Sequence, residues 1–355
     1  PAISGANLTN APGPTISASD PTISTNPTLG AKWVNKTSGE VYICTDATAG
    51  ANIWTNVGAG TGDVKPWEFG GSSYGFMASQ ITINRFSFTS DGNATDWGDL
   101  PGPSNYSKTG HSDKDNSYGY HSGGYGAAPY VFNEISRFSF SSSAGGADVG
   151  DLTQITAGAA SATNATHCYS IGHEYNAGAG GDGTVVSRWA FASTVNASDW
   201  SDLMGQQYSG GGATNGAGTY GYKMGGGAPT TNRIQKVNLT SAAIATDVAD
   251  LTIARHSSAG NSSSTHGYCS AGHTGSHSNV TDKFNMSTDA NSTDVGDLTI
   301  TRHQPGGSSS LTYGYVAGGV SANNTIEKHS FATDGNATDV GDLAQGLTGP
   351  AGTQY

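Results

Sequence analysis

An acidic phrase recurs at regular intervals through most of this chain, and it constrains the fold more than any other feature. An Asp-x-x-Asp pair followed by leucine occurs six times, with successive pairs 45 to 52 residues apart. Repeats of this length indicate that one supersecondary unit is copied along the chain. The pairs are Asp96/Asp99, Asp148/Asp151, Asp199/Asp202, Asp247/Asp250, Asp294/Asp297 and Asp339/Asp342.

Two further phrases recur with the same spacing as the acidic one. In both, bulky side chains alternate with other residues, as in β-strands. A phrase such as YGYKMGG (220–226) precedes each pair, and one such as INRFSF (83–88) lies between the two. Bulky residues at every second position are typical of a strand with one packed face. With a fourth strand after each pair, for example in TIARHSSAG (252–260), the unit has the size of one propeller blade. We therefore predict an all-β chain with a six-bladed β-propeller.

One column of the repeat is aromatic in every copy, and we interpret it as packing between blades rather than as sugar-stacking platforms. The column is Phe76, Tyr120, Tyr169, Tyr222, Tyr268 and Tyr315.

The last residues of the chain have the pattern of a strand that the first blade lacks. Only WEFGGSS (67–73) precedes the first aromatic phrase, which is too short for a first strand. Counted from the preceding leucine, Ala351-Gly352 falls where Ala259-Gly260 falls in a complete copy. We therefore expect the C-terminal residues to pair beside Tyr74 and close the ring, which removes an exposed sheet edge.

The order of these phrases resembles kelch-type propeller repeats over residues 67–355. Those repeats also carry a glycine pair at the end of the second strand and an aromatic residue in the third. The chain departs from them in its outer strand, where only Trp97 and Trp200 stand at a position usually occupied by tryptophan. The resemblance implies the kelch-like six-bladed fold and carries little information about activity.

The first 66 residues have a different composition. Residues 1–30 are rich in Pro, Ser, Thr and Asn, and predict an extended arm. Residues 31–66 contain the turn KTSG and short alternating flanks, which predict a small β-meander with Trp33, Tyr42 and Trp54 as its core.

This meander resembles a hairpin module at the N-terminal end of bacteriophage fibre and appendage proteins, through the pattern around WVNKTSGEVYICTDATAG (33–50). The resemblance implies attachment to other virion proteins, a place on the virion surface or outside a cell, and possible homotrimers. We thus expect a virion structural protein that displays loops for adhesion to a host surface or glycan. The alternative is a secreted bacterial glycan-binding lectin or adhesin of the same fold.

The composition argues against nucleic-acid binding, a membrane-spanning helix and a disulfide framework. Twenty-seven acidic and fifteen basic residues give a formal net charge of −12, which is unfavourable for binding nucleic acid. The sequence contains no run of 18 apolar residues, so it does not predict a membrane-spanning helix. The three cysteines, Cys44, Cys168 and Cys269, are too few for a disulfide framework, and we interpret them as buried thiols in strands.

Calcium is the one cofactor that the sequence suggests, in the segments directly before two of the acidic pairs. Asp91 and Asn93 alternate, as do Asp334 and Asn336, and oxygen ligands at alternating positions suit this ion. Other copies lack these early oxygens, however, and no EF-hand glutamate follows. We favour the interpretation that Asp-Gly and Asn form a hairpin turn.

Other candidate sites lie in loops and near the predicted channel. Loops of unequal length carry Tyr106, His111, Tyr175 and Tyr208, which we name as candidate contacts for a glycan or receptor, since loops on a rigid scaffold carry recognition. His266, His273 and His277 lie close together in sequence. The pairs Arg255-His256 and Arg302-His303 could enter the channel. No carboxylate pair or catalytic triad stands out from the repeat, so we do not expect an enzyme.

Overall fold

The computed structural model describes most of the chain and divides it into two compact units, Pro1–Trp67 and Glu68–Tyr355. The division lies within one residue of the boundary that the sequence predicts. All described residues are in strands, bridges, turns or irregular segments, and none is helical. None of them therefore forms a helix that could cross a bilayer. The structure describes residues 13–57, 63–102, 105–126, 131–173, 183–191, 196–227, 229–320 and 323–355.

The described part of the N-terminal unit forms a four-stranded sheet. The three predicted meander strands are present, and a short strand at the start of the described segment pairs with the first of them in parallel. Tyr42, Cys44 and Trp54 are buried in its core, and Trp33 packs against them. The strands are β1 (Thr15–Ser17), β2 (Lys32–Asn35), β3 (Val41–Asp46) and β4 (Ile53–Asn56).

The described part of the predicted arm is not a detached extension. Trp33 Nε1 donates a hydrogen bond to Ser19 O at 2.8 Å, and Trp54 Nε1 donates one to Thr22 O at 3.2 Å. A tryptophan ring that is buried needs an acceptor for its N–H, and the arm supplies two. Residues 13–30 therefore pack against the N-terminal sheet and give it one strand, Thr15–Ser17, while residues 1–12 lie outside the described residues.

The described residues of the larger unit form six four-stranded antiparallel sheets that follow the sequence repeat. Sheet 1 contains β5 (Tyr74–Ser79), β6 (Thr82–Ser87) and β7 (Thr95–Asp99). A separate pair consists of β8 (Asn105–Tyr106) and β11 (Tyr125–Gly126). Sheet 2 contains β9 (Thr109–Asp113), β10 (Tyr118–Ser122), β12 (Phe132–Ser139) and β13 (Ala147–Thr156). Sheet 3 contains β14 (Ala160–Thr163), β15 (His167–Ile171), β16 (Val185–Ala190) and β17 (Ser198–Asp202).

The remaining sheets repeat the same order of strands. Sheet 4 contains β18 (Gly211–Thr214), β19 (Tyr220–Gly226), β20 (Thr231–Asn238) and β21 (Thr246–Asp250). Sheet 5 contains β22 (Ala259–Ser262), β23 (His266–Ser270), β24 (Ser278–Asn285) and β25 (Thr293–Arg302). Sheet 6 contains β26 (Gly306–Ser309), β27 (Tyr313–Ala317), β28 (Thr325–Ser330) and β29 (Thr338–Asp342). Sheet 1 is completed by the last strand of the chain, β30 (Ala351–Gln354).

Strand β30 lies where the sequence predicts it, antiparallel to β5. Gly352 is in register with Met77 and Thr353 with Phe76. Tyr355 N and O also exchange hydrogen bonds with Tyr74, at 2.8 and 2.9 Å. Sheet 1 thus takes its first strand from the opposite end of the chain.

The first strand of each sheet contacts the first strands of two other sheets, and we call these strands inner. The contacts run from β9 to β14, β18, β22, β26 and β30, and from β30 back to β9. This arrangement of small antiparallel sheets is consistent with a β-propeller-like fold.

The aromatic column packs between sheets, as the sequence predicts. All six members are at most 2% exposed. Each contacts the third strand of the following sheet or the residues just beyond it: Phe76 stacks on Phe140, and Tyr268 stacks on Phe331. Tyr315 of sheet 6 stacks on Phe88 of sheet 1 in the same way, with ring centroids 4.8 Å apart. The column is therefore core and is not available to a ligand.

Glycine allows the inner strands to approach one another closely. Five inner strands carry glycine at one register, and the sixth carries Ser161. A Cβ atom added to any of these glycines would lie less than 3.0 Å from a carbonyl oxygen of the neighbouring inner strand. The close approach of backbones explains why the repeat keeps glycine here. These residues are Gly110, Gly212, Gly260, Gly307 and Gly352.

Candidate functional site

The acidic phrase joins neighbouring sheets. In every copy, the residue two positions before the first aspartate donates its N–H to the carbonyl oxygen of the second aspartate in the preceding sheet. The distances are 2.7 to 2.9 Å, and the pairs are Ala94–Asp342, Gly146–Asp99, Ala197–Asp151, Ala245–Asp202, Ser292–Asp250 and Ala337–Asp297. The phrase is thus an inter-sheet connector, and its first pair links sheet 1 to sheet 6.

The calcium candidates take part in the same connector. Asn93 Oδ1 accepts the N–H of Asp342, and Asn336 Oδ1 accepts that of Asp297, each at 3.0 Å. The Asp91 carboxylate pairs with Lys328 Nζ at 2.5 Å, and the Asp334 carboxylate pairs with Lys283. No group of three or more His, Cys, Asp or Glu side chains among the described residues is arranged to hold a metal ion. The oxygens that suggest calcium in the sequence therefore have protein partners.

We expect the thermal stability of the chain to be independent of calcium. The side-chain oxygens of Asp91, Asn93, Asp334 and Asn336 already accept protein hydrogen bonds or ion pairs, and a cation would have to displace them. Melting in millimolar calcium and in excess EDTA tests this expectation. Equal midpoints are the expected result, and a clear rise of the midpoint with calcium would contradict it.

Sheets 2 and 4 lack the asparagine that strengthens this connector in the other four sheets, and sheet 2 has Gly145 at this position. Asn93, Asn196, Asn291 and Asn336 each accept the N–H of an aspartate in the preceding sheet at 3.0 Å. The equivalent residue in sheet 4 is Ile244, whose side chain is 68% exposed.

We predict that Ile244→Asn stabilises the protein by about 0.5–1.5 kcal/mol, the net contribution of one hydrogen bond. The new amide would lie opposite the N–H of Asp202, and an exposed apolar side chain would be removed. Chemical unfolding of the substituted chain measures the change. Ile244→Ala is the matched control, because it removes the isoleucine without adding an acceptor. Equal stability of the two variants would contradict the prediction.

The arginines predicted near the channel are instead buried in ion pairs, so this expectation is wrong. Arg255 pairs with Asp282, and neither side chain is exposed. Arg302 pairs with Glu327 in the next sheet, with exposures of 2% and 0%. Arg255 also donates to Val280 O at 2.8 Å. A guanidinium at these depths needs a carboxylate partner, and strands β24 and β28 provide one each.

Four histidines gather on loops of sheets 5 and 6. The ring of His273 lies 5.2 Å from that of His256 and 5.4 Å from that of His303, and His277 lies 4.3 Å from His303. Burial and the three neighbouring imidazoles lower the pKa of His303 to about 4. His266, which the sequence suggests as a third member beside His273 and His277, contacts Tyr268 and Thr265 instead. His303 is therefore a neutral ring at physiological pH.

A recess opens at one end of the inner strands, and we call it the mouth recess. It is a cavity of about 80 Å³ to which each of the six sheets contributes two consecutive residues. The first residue of each pair has a left-handed backbone, with φ between 53° and 63°. These residues are Ser107, Gly158, Ser209, Ser257, Gln304 and Gly349.

Backbone hydrogen bonds connect these left-handed residues to one another. Ser107 donates to Gly349 O at 2.9 Å, and Gly158 donates to Ser107 O at 3.1 Å. The same bond joins Ser209 to Gly158, Ser257 to Ser209 and Gln304 to Ser257. Left-handed φ is unfavourable for serine and glutamine, so the shared bonds offset a conformational cost at four positions. The recess therefore has a rim fixed by main-chain contacts.

Two of the four predicted glycan-contact residues lie beside this recess. Tyr106 and Tyr208 directly precede the left-handed Ser107 and Ser209, the same register at which His256 and His303 stand. Tyr106 lies against Tyr125 with ring centroids 5.4 Å apart, and Tyr208 packs against Gly227.

The other two predicted contact residues are not on a described surface. His111 is 1% exposed and packs against Trp189, with ring centroids 4.7 Å apart. Burial lowers its pKa to about 3, so it is a neutral core residue and does not offer its ring to a receptor. Tyr175 lies outside the described residues.

The mouth recess is the part of the site that sequence reasoning missed. Its rim consists of serine, glycine and glutamine, none of which forms a motif, and its one charged lining residue is Lys108. The sequence signal for the recess is a common position, because each rim residue lies two positions before the first residue of an inner strand.

No family model matches the sequence, and no curated protein is significantly similar to it. What the chain does is therefore inferred from its own residues.

Proposed function

We propose that the six sheets are the blades of a closed six-bladed, kelch-like β-propeller. Three sets of contacts support this: the inner strands, the aromatic column and the acidic connectors each pass from sheet 6 to sheet 1 as they pass between other neighbours. The glycine pair after the second strand and the aromatic residue in the third give the repeat its kelch-like character.

We further propose that the chain is a bacteriophage virion structural protein, a fibre, appendage or decoration component without enzymatic activity. The observation that carries this proposal is the division into two units, a small N-terminal sheet and a large repeated unit with unequal loops. The N-terminal unit, which resembles phage attachment modules, would bind other virion proteins, as a trimer where the particle has threefold symmetry. The larger unit would display its loops outward.

The display surface of this proposal is the end that carries the mouth recess. Tyr106, Tyr208, His256 and His303 occupy one register around it and provide aromatic and imidazole rings next to hydroxyl groups. Rings of this kind stack on sugar faces, and serine and glutamine side chains pair with sugar hydroxyls. A host surface glycan is thus the ligand class that the residues suit best.

Purified phage particles from a lysate that contains this chain provide the test of the virion role. Mass spectrometry of the particles should detect the full-length chain at a fixed stoichiometry, and gold-labelled antibody should mark a regular position. A chain that is found only in the particle-free medium would overturn the virion role and favour the secreted lectin. Binding of the full-length chain to a glycan array tests the adhesive role separately.

A further inference from the structure

The residues that follow the left-handed rim present hydrogen-bond donors to the mouth recess. At this second position the six sheets carry Lys108, Ala159, Gly210, Ser258, Pro305 and Pro350. The two prolines have no N–H, and none of the other four N–H groups donates a hydrogen bond to another described residue. An inner strand is the edge of its sheet, so donors that point away from the sheet have no ladder partner.

The direction of these N–H groups follows from the next part of each inner strand. Thr163 N donates to Thr214 Oγ1, Thr214 N to Ser262 Oγ and Ser262 N to Ser309 Oγ, all in the following sheet. Main-chain N–H groups alternate in direction along a strand with a period of two. Ala159, Gly210 and Ser258 lie four positions before these residues and directly before their strands, so we infer that the same alternation directs their N–H groups away from their own sheets.

Lys108 adds a charge to these donors. Its side chain is 8% exposed, and its ammonium makes no hydrogen bond or ion pair with a described residue. The described residues that line the mouth recess include no aspartate or glutamate, although the whole chain carries a net charge of −12. The cavity that continues from it along the inner strands is likewise lined by Lys108 and by no acidic residue. Lys108 is thus the one charged residue among the described residues that line the recess, and the carboxylate that acts on its pKa is Glu134, outside the lining.

We propose that the mouth recess binds the carboxylate of an acidic sugar, with Lys108 Nζ and the N–H groups of Ala159, Gly210 and Ser258 as donors. Backbone N–H groups and an ammonium both form charge-assisted hydrogen bonds with a carboxylate, and such bonds are roughly twice as strong as neutral ones. The inference rests on the proposed glycan-binding role and names the class of glycan.

Calorimetric titration of the full-length chain with methyl glucuronide, methyl glucoside and acetate tests the proposal. We expect the glucuronide to bind and the neutral glucoside to bind at least tenfold more weakly, because only the former has a carboxylate. Lys108→Met should weaken glucuronide binding at least tenfold. Lys223→Met is the matched control, because Lys223 is also a buried amine but lies outside the recess, where it donates to Ile171 O at 3.0 Å.

The pH dependence of binding provides a second readout on the same amine. Burial lowers the pKa of Lys108 to about 8 against the opposing effect of Glu134, so the amine is charged below this value and loses its charge above it. The neighbouring His121 and His111 stay neutral, because burial lowers the pKa of each far below 7. Glucuronide affinity should therefore fall as the pH rises through 8, and in Lys108→Met it should not.

The titrations distinguish failure of the proposed carboxylate site from failure of the proposed glycan-binding function. Equal affinity for glucuronide and glucoside, or full affinity in Lys108→Met, would overturn the carboxylate site and leave glycan binding by other loops intact. Binding of acetate without binding of either glycoside would overturn the sugar as the ligand of the recess, while the glycan array tests the adhesive role separately. A crystal structure of the glucuronide complex with the carboxylate in the recess would support both.

Discussion

Deletion of the last five residues, Ala351–Tyr355, is expected to abolish the cooperative folding of the larger unit. The deletion removes strand β30, so that β5 becomes an unpaired inner edge beside buried Phe76 and Met77. It also removes the acceptor Tyr355 O, which binds the N–H groups of Ser73 and Tyr74 at 2.7 and 2.9 Å. Each buried group left without a partner costs about 1–3 kcal/mol. The total is comparable to the roughly 5–15 kcal/mol that stabilises a whole domain.

Circular dichroism and urea unfolding of the truncated chain measure this effect, and a synthetic peptide of residues 349–355 provides the control. The peptide supplies the missing strand in trans, so it should restore part of the lost stability. A truncated chain that unfolds cooperatively at the same urea concentration as the intact chain would contradict the expected result.

Asp282→Ala is expected to destabilise the protein by about 3–5 kcal/mol, because it leaves the Arg255 guanidinium buried without a counter-charge. Both side chains have no exposure, and Asp282 also accepts hydrogen bonds from Thr252 N at 2.9 Å and Thr252 Oγ1 at 2.7 Å. Denaturant unfolding of the variant measures the loss.

The double variant Arg255→Met/Asp282→Leu separates the burial of a charge from the loss of packing. Removal of both charges leaves no unpaired ion, so this variant should be more stable than Asp282→Ala by at least about 1 kcal/mol. A cost below 1 kcal/mol for Asp282→Ala alone would show that the guanidinium finds another partner, and would contradict the account of this site.

The repeat could be predicted from the sequence because its spacing and strand alternation are local properties. The aromatic column, the strand positions and the pairing of Gly352 beside β5 all followed from that alternation. The buried state of Cys44, Cys168 and Cys269 followed from their places in strands.

Long-range partners could not be predicted in the same way. Arg255 and Arg302 looked accessible because the sequence does not show which residue will face a side chain across strands. Their partners, Asp282 and Glu327, occupy a column that holds Asn84, Ser136, Ser187 and Gln235 in the other sheets. The column therefore has no common charge to signal an ion pair. For Asp91 and Asp334 the sequence suggested a ligand where the structure has a protein partner. Their carboxylates suggested calcium, but they pair with Lys328 and Lys283 of another sheet.

The mouth recess could not be predicted because it depends on backbone conformation. Serine at Ser107, Ser209 and Ser257 adopts a left-handed φ that sequence patterns assign to glycine or asparagine. The site forms only when six such residues from distant parts of the chain meet.

Amide hydrogen exchange resolved to single residues tests the central claim, that the six sheets form one ring joined through the C-terminal strand. The account predicts that the amides of β30 that pair with β5 exchange as slowly as those of the inner pairs in the other five sheets, in a single cooperative unit. Rapid exchange in Ala351–Gln354 and Tyr74–Ser79, alongside slow exchange in sheets 2 to 6, would contradict it.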